Sequence, residues 1–204
     1  MSGIVGQNTL DNSGLVKAPA GGGAWNFISK QTASSSADIS FTSGIDSTYK
    51  EYVFTFNNIH PSDDEVDCLF NLSIDAGSNY NVTKTTTFCR PYHLEQTHED
   101  AAGGPQYQPN DDLAQGTGFQ SLADRVDNDN DSCWVGTLHL YNPSSSVFVK
   151  HFIANTNTYR GENSSEQGFC AGYVNTTTAL TRVQFKMYSG NTDAGDICLY
   201  GITT

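Results

Sequence analysis

Residues 181–201 read TRVQFKMYSGNTDAGDICLYG, and the alternation in this stretch decides the fold class. Val183, Phe185 and Met187 fall on one side of an extended chain, and Arg182, Gln184 and Lys186 fall on the other, as a strand with one buried face requires. Ser189-Gly190-Asn191 breaks the run, and Ile197 and Leu199 resume a period of two after Ala194-Gly195. The pattern predicts a closing hairpin of two antiparallel strands joined by a somewhat long turn, with the last strand held in the sheet.

The same period recurs upstream. Ala24–Lys30 reads as a first strand with Trp25 and Phe27 on one face, and Ser36–Phe41 as a second. In Tyr49–Ile59 the pattern puts Tyr52, Phe54 and Phe56 inward, with Val53 under an edge or loop, and His60-Pro61 ends the strand. Glu65–Asp75 aligns Val66, Cys68, Phe70, Leu72 and Ile74 on one face. A Thr-rich strand spans 80–91. From His93 to about Gly118 the period dissolves into a long loop, a functional excursion or a contact arm. Cys133–Tyr141 sets Cys133, Val135, Thr137 and His139 against Trp134, Leu138 and Tyr141. Val147–Thr156 is expected to bury Phe148 with its alternate neighbours, or Val147, Val149 and Ile153 in the other register. Glu162–Glu166 reads as a polar turn before a strand at 168–174.

About ten strands without a helix longer than a turn or two predict an all-β fold: a two-sheet antiparallel β-sandwich, jelly-roll-like, with long loops. A chain of 204 residues, rich in Gly, Ser, Thr and Asn, suits one such domain and is poor helix material. Residues 24–204 form that domain. Residues 1–23 are small and polar, end in Ala-Gly-Gly-Gly, and carry only Ile4, Val5, Leu10, Leu15 and Val16 as apolar anchors. They read as a loose tail or as an N-terminal arm that orders against a partner.

A net charge of −12 argues against nucleic acid as the main partner, because no basic surface is offered to phosphates. The opening MSGIVGQNTLD has no basic region followed by an apolar run and does not read as a signal peptide, and no stretch is long and apolar enough to insert in a membrane. Five scattered cysteines without a CxxC pair read as reduced thiols.

Several strings resemble one group of proteins. They are Gly44-Ile45-Asp46-Ser47-Thr48-Tyr49, Phe56-Asn57-Asn58-Ile59-His60-Pro61, Leu138–Ser145 (LHLYNPSS) and Val183–Gly195 (VQFKMYSGNTDAG). Together they resemble virion structural and tail-fibre proteins of tailed phages that infect marine bacteria and cyanobacteria. The resemblance spans roughly Trp25 to Ile202. It implies a virion protein made in the host cytoplasm, a tail-associated fibre or adaptor element that is homo-oligomeric and often trimeric. Residues 1–23 would attach it to other virion proteins. A capsid decoration protein is the alternative, and a carbohydrate-binding module or glycan hydrolase a further one. The group brings no catalytic residues and no cofactor.

Candidate sites are few. Tyr80, Tyr92, Tyr107, Tyr159 and Tyr173 suit contact with a host-surface glycan, where rings stack on sugar faces, and equally suit a wet protein interface. Asp127, Asp129 and Asp131 alternate like the ligands of a calcium loop, yet the glycine and the closing glutamate of an EF-hand are missing, and a solvated acidic loop is the plainer reading. His93 and His98 with Glu95, Glu99 and Asp100 match no metal-ligand spacing. No G-x-S-x-G elbow precedes a helix. A binding or structural role rather than an enzyme is the expectation.

Overall fold

The computed structural model describes residues 24–96, 102–161 and 163–203. Twelve strands follow one another: β1 (Trp25–Thr32), β2 (Ile39–Phe41), β3 (Glu51–Pro61), β4 (Val66–Ser73), β5 (Lys84–Leu94), β6 (Ala102–Tyr107), β7 (Gln120–Val126), β8 (Trp134–Tyr141), β9 (Lys150–Arg160), β10 (Ser164–Val174), β11 (Arg182–Met187) and β12 (Thr192–Ile202). Every ladder is antiparallel. Among the described residues there is no helix.

Nine strands form one continuous hydrogen-bonded path, β1-β12-β3-β8-β9-β7-β4-β11-β2, a single sheet that curls into a nearly closed barrel. This path overturns the two-sheet, jelly-roll-like sandwich expected from the sequence. A sandwich and a barrel both bury alternate residues, so a period of two cannot separate them. The joint between β9 and β7 is narrow, a single residue pair, Val126 with Arg160. From β9 a branch of three strands, β10, β5 and β6, extends the sheet outside the nine-strand path.

The closing stretch is two strands, but they do not pair as a hairpin. β11 lies between β4 and β2, whereas β12 lies between β1 and β3. The turn at Ser189–Asn191 therefore carries the chain from one part of the barrel wall to another. Within β12, Gly195 has a φ of 113° and sits where the register against β3 shifts. A Cβ there would lie 2.5 Å from the carbonyl oxygen of Asn58, so this bulge requires glycine.

Phe185 shows how the walls meet. Its ring packs edge-on against Phe54 and Phe56 of β3, each at a centroid distance of 5.2 Å, and against Phe41 of β2 at 6.1 Å. Tyr52, Phe54, Phe70, Phe88, Trp134 and Phe152 are buried in the same core. Fully burying one such ring stabilises the fold by roughly 1.5–3 kcal/mol.

Other local expectations change. Val53 is buried on the outward face, between its register partners Tyr200 and His139, and not under a loop. Tyr141 stacks on His139, so it belongs to that outward face and not with Trp134 and Leu138. Phe148 is 71% exposed because β9 begins only at Lys150, although its alternate neighbours Phe152 and Ala154 are buried. Ile74, expected inward, lies beyond the end of β4 and is exposed. Within the polar turn expected at 162–166, Ser164 already opens β10, where Ser164 and Glu166 are buried. The long loop contains β6, and its 108–119 portion covers the second face of β4, which explains why Asn71 and Leu69 are buried there.

Candidate functional interface

The outward face of β1, β12, β3, β8, β9, β10 and β5 is set by strand pairing. One cross-strand row begins Phe27, Tyr200, Val53 and His139. It continues through Ile153 and Ala171 to Thr87. Seven strands at about 4.8 Å spacing make this row roughly 29 Å wide. Phe27 is 61% and Ile153 52% exposed. On one flank, Trp25 and Phe27 both meet the Tyr200 ring edge-on, at 5.5 and 5.8 Å. Such cross-strand aromatic pairs fix ring orientation on an open sheet surface. Two carboxylates stand on this face: Glu51, whose Oε1 is 2.6 Å from His139 Nδ1, and Asp196, whose Oδ2 accepts from Lys30 Nζ at 3.1 Å.

At the far flank the face sinks into an apolar groove of about 460 Å³ over Ile153, Ala171 and Gly172, with His151 and Tyr173 at its side. The two rings are 6.2 Å apart. Beside it, the turn between β8 and β9 ends in Val147 and Phe148, 69% and 71% exposed. Ser145 Oγ accepts hydrogen bonds from the N–H groups of Val147 (3.2 Å) and Phe148 (2.9 Å), which holds the tip in shape. β1 begins at the same end, since Thr203 N–H donates to Ala24 O and Trp25 is registered with Ile202.

The interior opposite this face carries charge. Arg90 of β5 donates to Asp124 of β7 and, at 2.9 Å, to Glu166 of β10, which Arg160 of β9 also approaches at 3.4 Å. This network stands where β9 and β7 share only one pair, and it ties β5, β7, β9 and β10 together. Burial, with the Asp124 carboxyl beside it, pushes Asp67 up to about 7. Burial also raises Glu166, against the pull of Arg90. Further along β5, Lys84 is wholly buried, and desolvation pushes it down to about 7. Its Nζ donates to Asn71 Oδ1 (2.6 Å) and Val82 O (2.9 Å).

The tyrosines named from the sequence do not form one platform. Tyr173 borders the groove, and Tyr107 stands on the outward side next to Cys89. Tyr159 donates to Asn163 Oδ1 at 2.9 Å, further along the same face. Tyr92 turns the other way, under the Arg160 guanidinium at 5.9 Å, and Tyr80 lies apart, beside Gly77. Asp127 is nearly buried and accepts the Asp129 N–H at 3.2 Å, so its carboxylate shapes the turn, while Asp129 and Asp131 are exposed. Among the described residues no group of three His, Cys, Asp or Glu is placed to hold a metal ion. His93 Nδ1 lies 2.6 Å from Leu94 O; His98, Glu99 and Asp100 lie outside the described residues, as do Ile4, Val5, Leu10, Leu15 and Val16 of the arm. The cysteines are free thiols, and burial raises Cys68 and Cys170.

Sequence reading missed the charged interior and the Val147–Phe148 tip. Alternation in Lys84-Thr86-Phe88-Arg90-Tyr92 carried a signal for the first, since Phe88 is a core residue and its even neighbours share its face. Compared with protein-family models, curated proteins and solved structures, the chain matches none.

Proposed function

We propose that the chain is a structural subunit of a tailed-phage particle, a tail-associated fibre or adaptor element that works as a homo-oligomer. The observation that carries this reading is the outward face of seven strands, which leaves Trp25, Phe27, Val135, Ile153 and Phe169 exposed on a protein whose net charge is −12. Exposed large apolar side chains gathered on one face and rimmed by polar ones point to an association surface. The resemblance of the 44–61, 138–145 and 183–195 strings to virion and tail-fibre proteins supports the same reading. Asp11 and Lys17 cancel within residues 1–23, so the net charge resides on residues 24–204. A neutral arm with spaced apolar anchors suits attachment to another virion protein better than an acidic one.

Gold-labelled antibody against the protein is expected to decorate the tails of particles assembled from the genome that encodes it. Label confined to heads would make it a decoration protein, and particles free of the protein would overturn the reading. Deleting residues 1–23 is expected to leave the melting temperature of the barrel in place while abolishing incorporation. Loss of folding in that deletion would move the domain boundary.

A further inference from the structure

We infer that copies of this chain join through a knob and a groove: the Val147–Phe148 tip of one copy seats in the apolar groove over Ile153 and Ala171, beside His151 and Tyr173, of the next. The inference rests on the assembly reading above and names the contact that would carry it.

Four features point to a second copy as the occupant. The tip is exposed yet preorganised, because Ser145 Oγ takes the N–H groups of both apolar residues. Little conformational entropy remains to be lost when it docks. The groove is of opposite shape and like chemistry, lined by Thr85, Thr87, Ile153 and Ala171 beside the two rings. Charge narrows the choice further. Neither the groove lining nor the hollow beside the tip includes a carboxylate, and Lys50 lines that hollow. Two bodies of charge −12 repel each other almost anywhere else on their surfaces. Finally, tip and groove are neighbours, with Phe148 two residues before β9 and His151 its second residue. One approach therefore lets each copy give its tip and receive another, which closes an oligomer without leaving a sticky end.

The test uses the full-length chain. Native mass by light scattering is expected to be a multiple of one chain for the wild type. It should fall to a single chain for Phe148→Ser and for Ala171→Arg, with melting temperatures unchanged. A photo-crosslinking phenylalanine at position 148, in mixed light and heavy chains, is expected to link between chains onto residues 85–87, 151–153 or 171–173. Links within one chain, or onto residues 1–23, would overturn the contact. An oligomer that persists in both variants would remove this contact and leave the assembly reading standing. A monomeric wild type would remove both.

Discussion

Along β9 the two faces of one strand behave in opposite ways. Inward, Lys150, Thr156, Thr158 and Arg160 are buried among polar partners: Lys150 Nζ donates to Thr176 O at 3.1 Å, and Thr156 Oγ1 to Leu122 O at 2.7 Å. Outward, Ile153 is half exposed beside the groove. The core proper, around Phe185, is aromatic, and the buried guanidinium and carboxylate groups gather at the seam between β9 and β7. Buried charges of this kind must be paired to be tolerated, and they hold the seam in one arrangement. The outward face bears no such constraint. Its apolar residues add little to the isolated fold and are free to serve association.

This contrast makes unequal demands on mutation. The largest effect is expected at Glu166, which faces two guanidinium groups. Glu166→Ala leaves Arg160 without its carboxylate, a loss of about 3–5 kcal/mol. At about 2–4 °C per kcal/mol the melting temperature should drop on the order of 10 °C; a fall of only a degree would mean that solvent reaches the seam and the charges are not truly buried.

Next comes Asp67. Its carboxyl titrates at about 7 in the folded chain against an ordinary 3.8. Between those values the folded state holds a proton that the unfolded chain has released. The stability from this group is thus full below 3.8 and is lost as pH rises through 7. Asp67→Asn abolishes that loss and keeps an oxygen for the Arg125 N–H, which Asp67 Oδ1 accepts at 3.1 Å. The variant should melt on the order of 5 °C above wild type at pH 8 and close to it at pH 4. An equal gap at both pH values would rule out Asp67 as the titrating group.

Lys84 supplies the opposite sign. Its amine is pushed down to about 7 from 10.5, so its stability contribution is full above 10.5 and disappears as pH falls through 7. The melting temperature of Lys84→Met relative to wild type should therefore be highest near pH 6 and decline by a few degrees towards pH 10. A difference independent of pH would show that Lys84 stays charged throughout. The smallest effect on stability belongs to the outward face. Phe148→Ser should move the melting point by no more than about 2 °C, and a larger drop would place Phe148 in the fold instead of at an interface.

The strands were largely legible in the sequence and the barrel they form was not. Tyr52, Phe54 and Phe56 could be assigned inward because three aromatic residues repeat at every second position, and all are buried. The same rule failed at Phe148, whose parity is right but whose residue precedes the strand. It also gave no warning that β11 and β12, adjacent in sequence, stand apart in the sheet. The tyrosines proposed as a platform share a residue type but not a location, since nothing in a sequence says which strands become neighbours. The tip and the groove escaped notice for that reason too: the groove is assembled from β5, β9 and β10, by residues that run from Thr85 to Tyr173 in the chain.

What the sequence determined by itself was local. Period two, β-branched and aromatic enrichment and the glycine-marked turns specify extended segments, their inward side chains and the absence of helices, because these depend on backbone geometry within a few residues. Only the tertiary structure decided that one sheet curls into a nearly closed barrel, that the seam is closed by Arg90, Asp124, Arg160 and Glu166, and that Phe27, Tyr200, Val53 and Ile153 share one outward row. Backbone N–H and C=O groups are the same in every residue but proline, so strand partners are chosen by how the whole set of side chains packs and by which charges find each other.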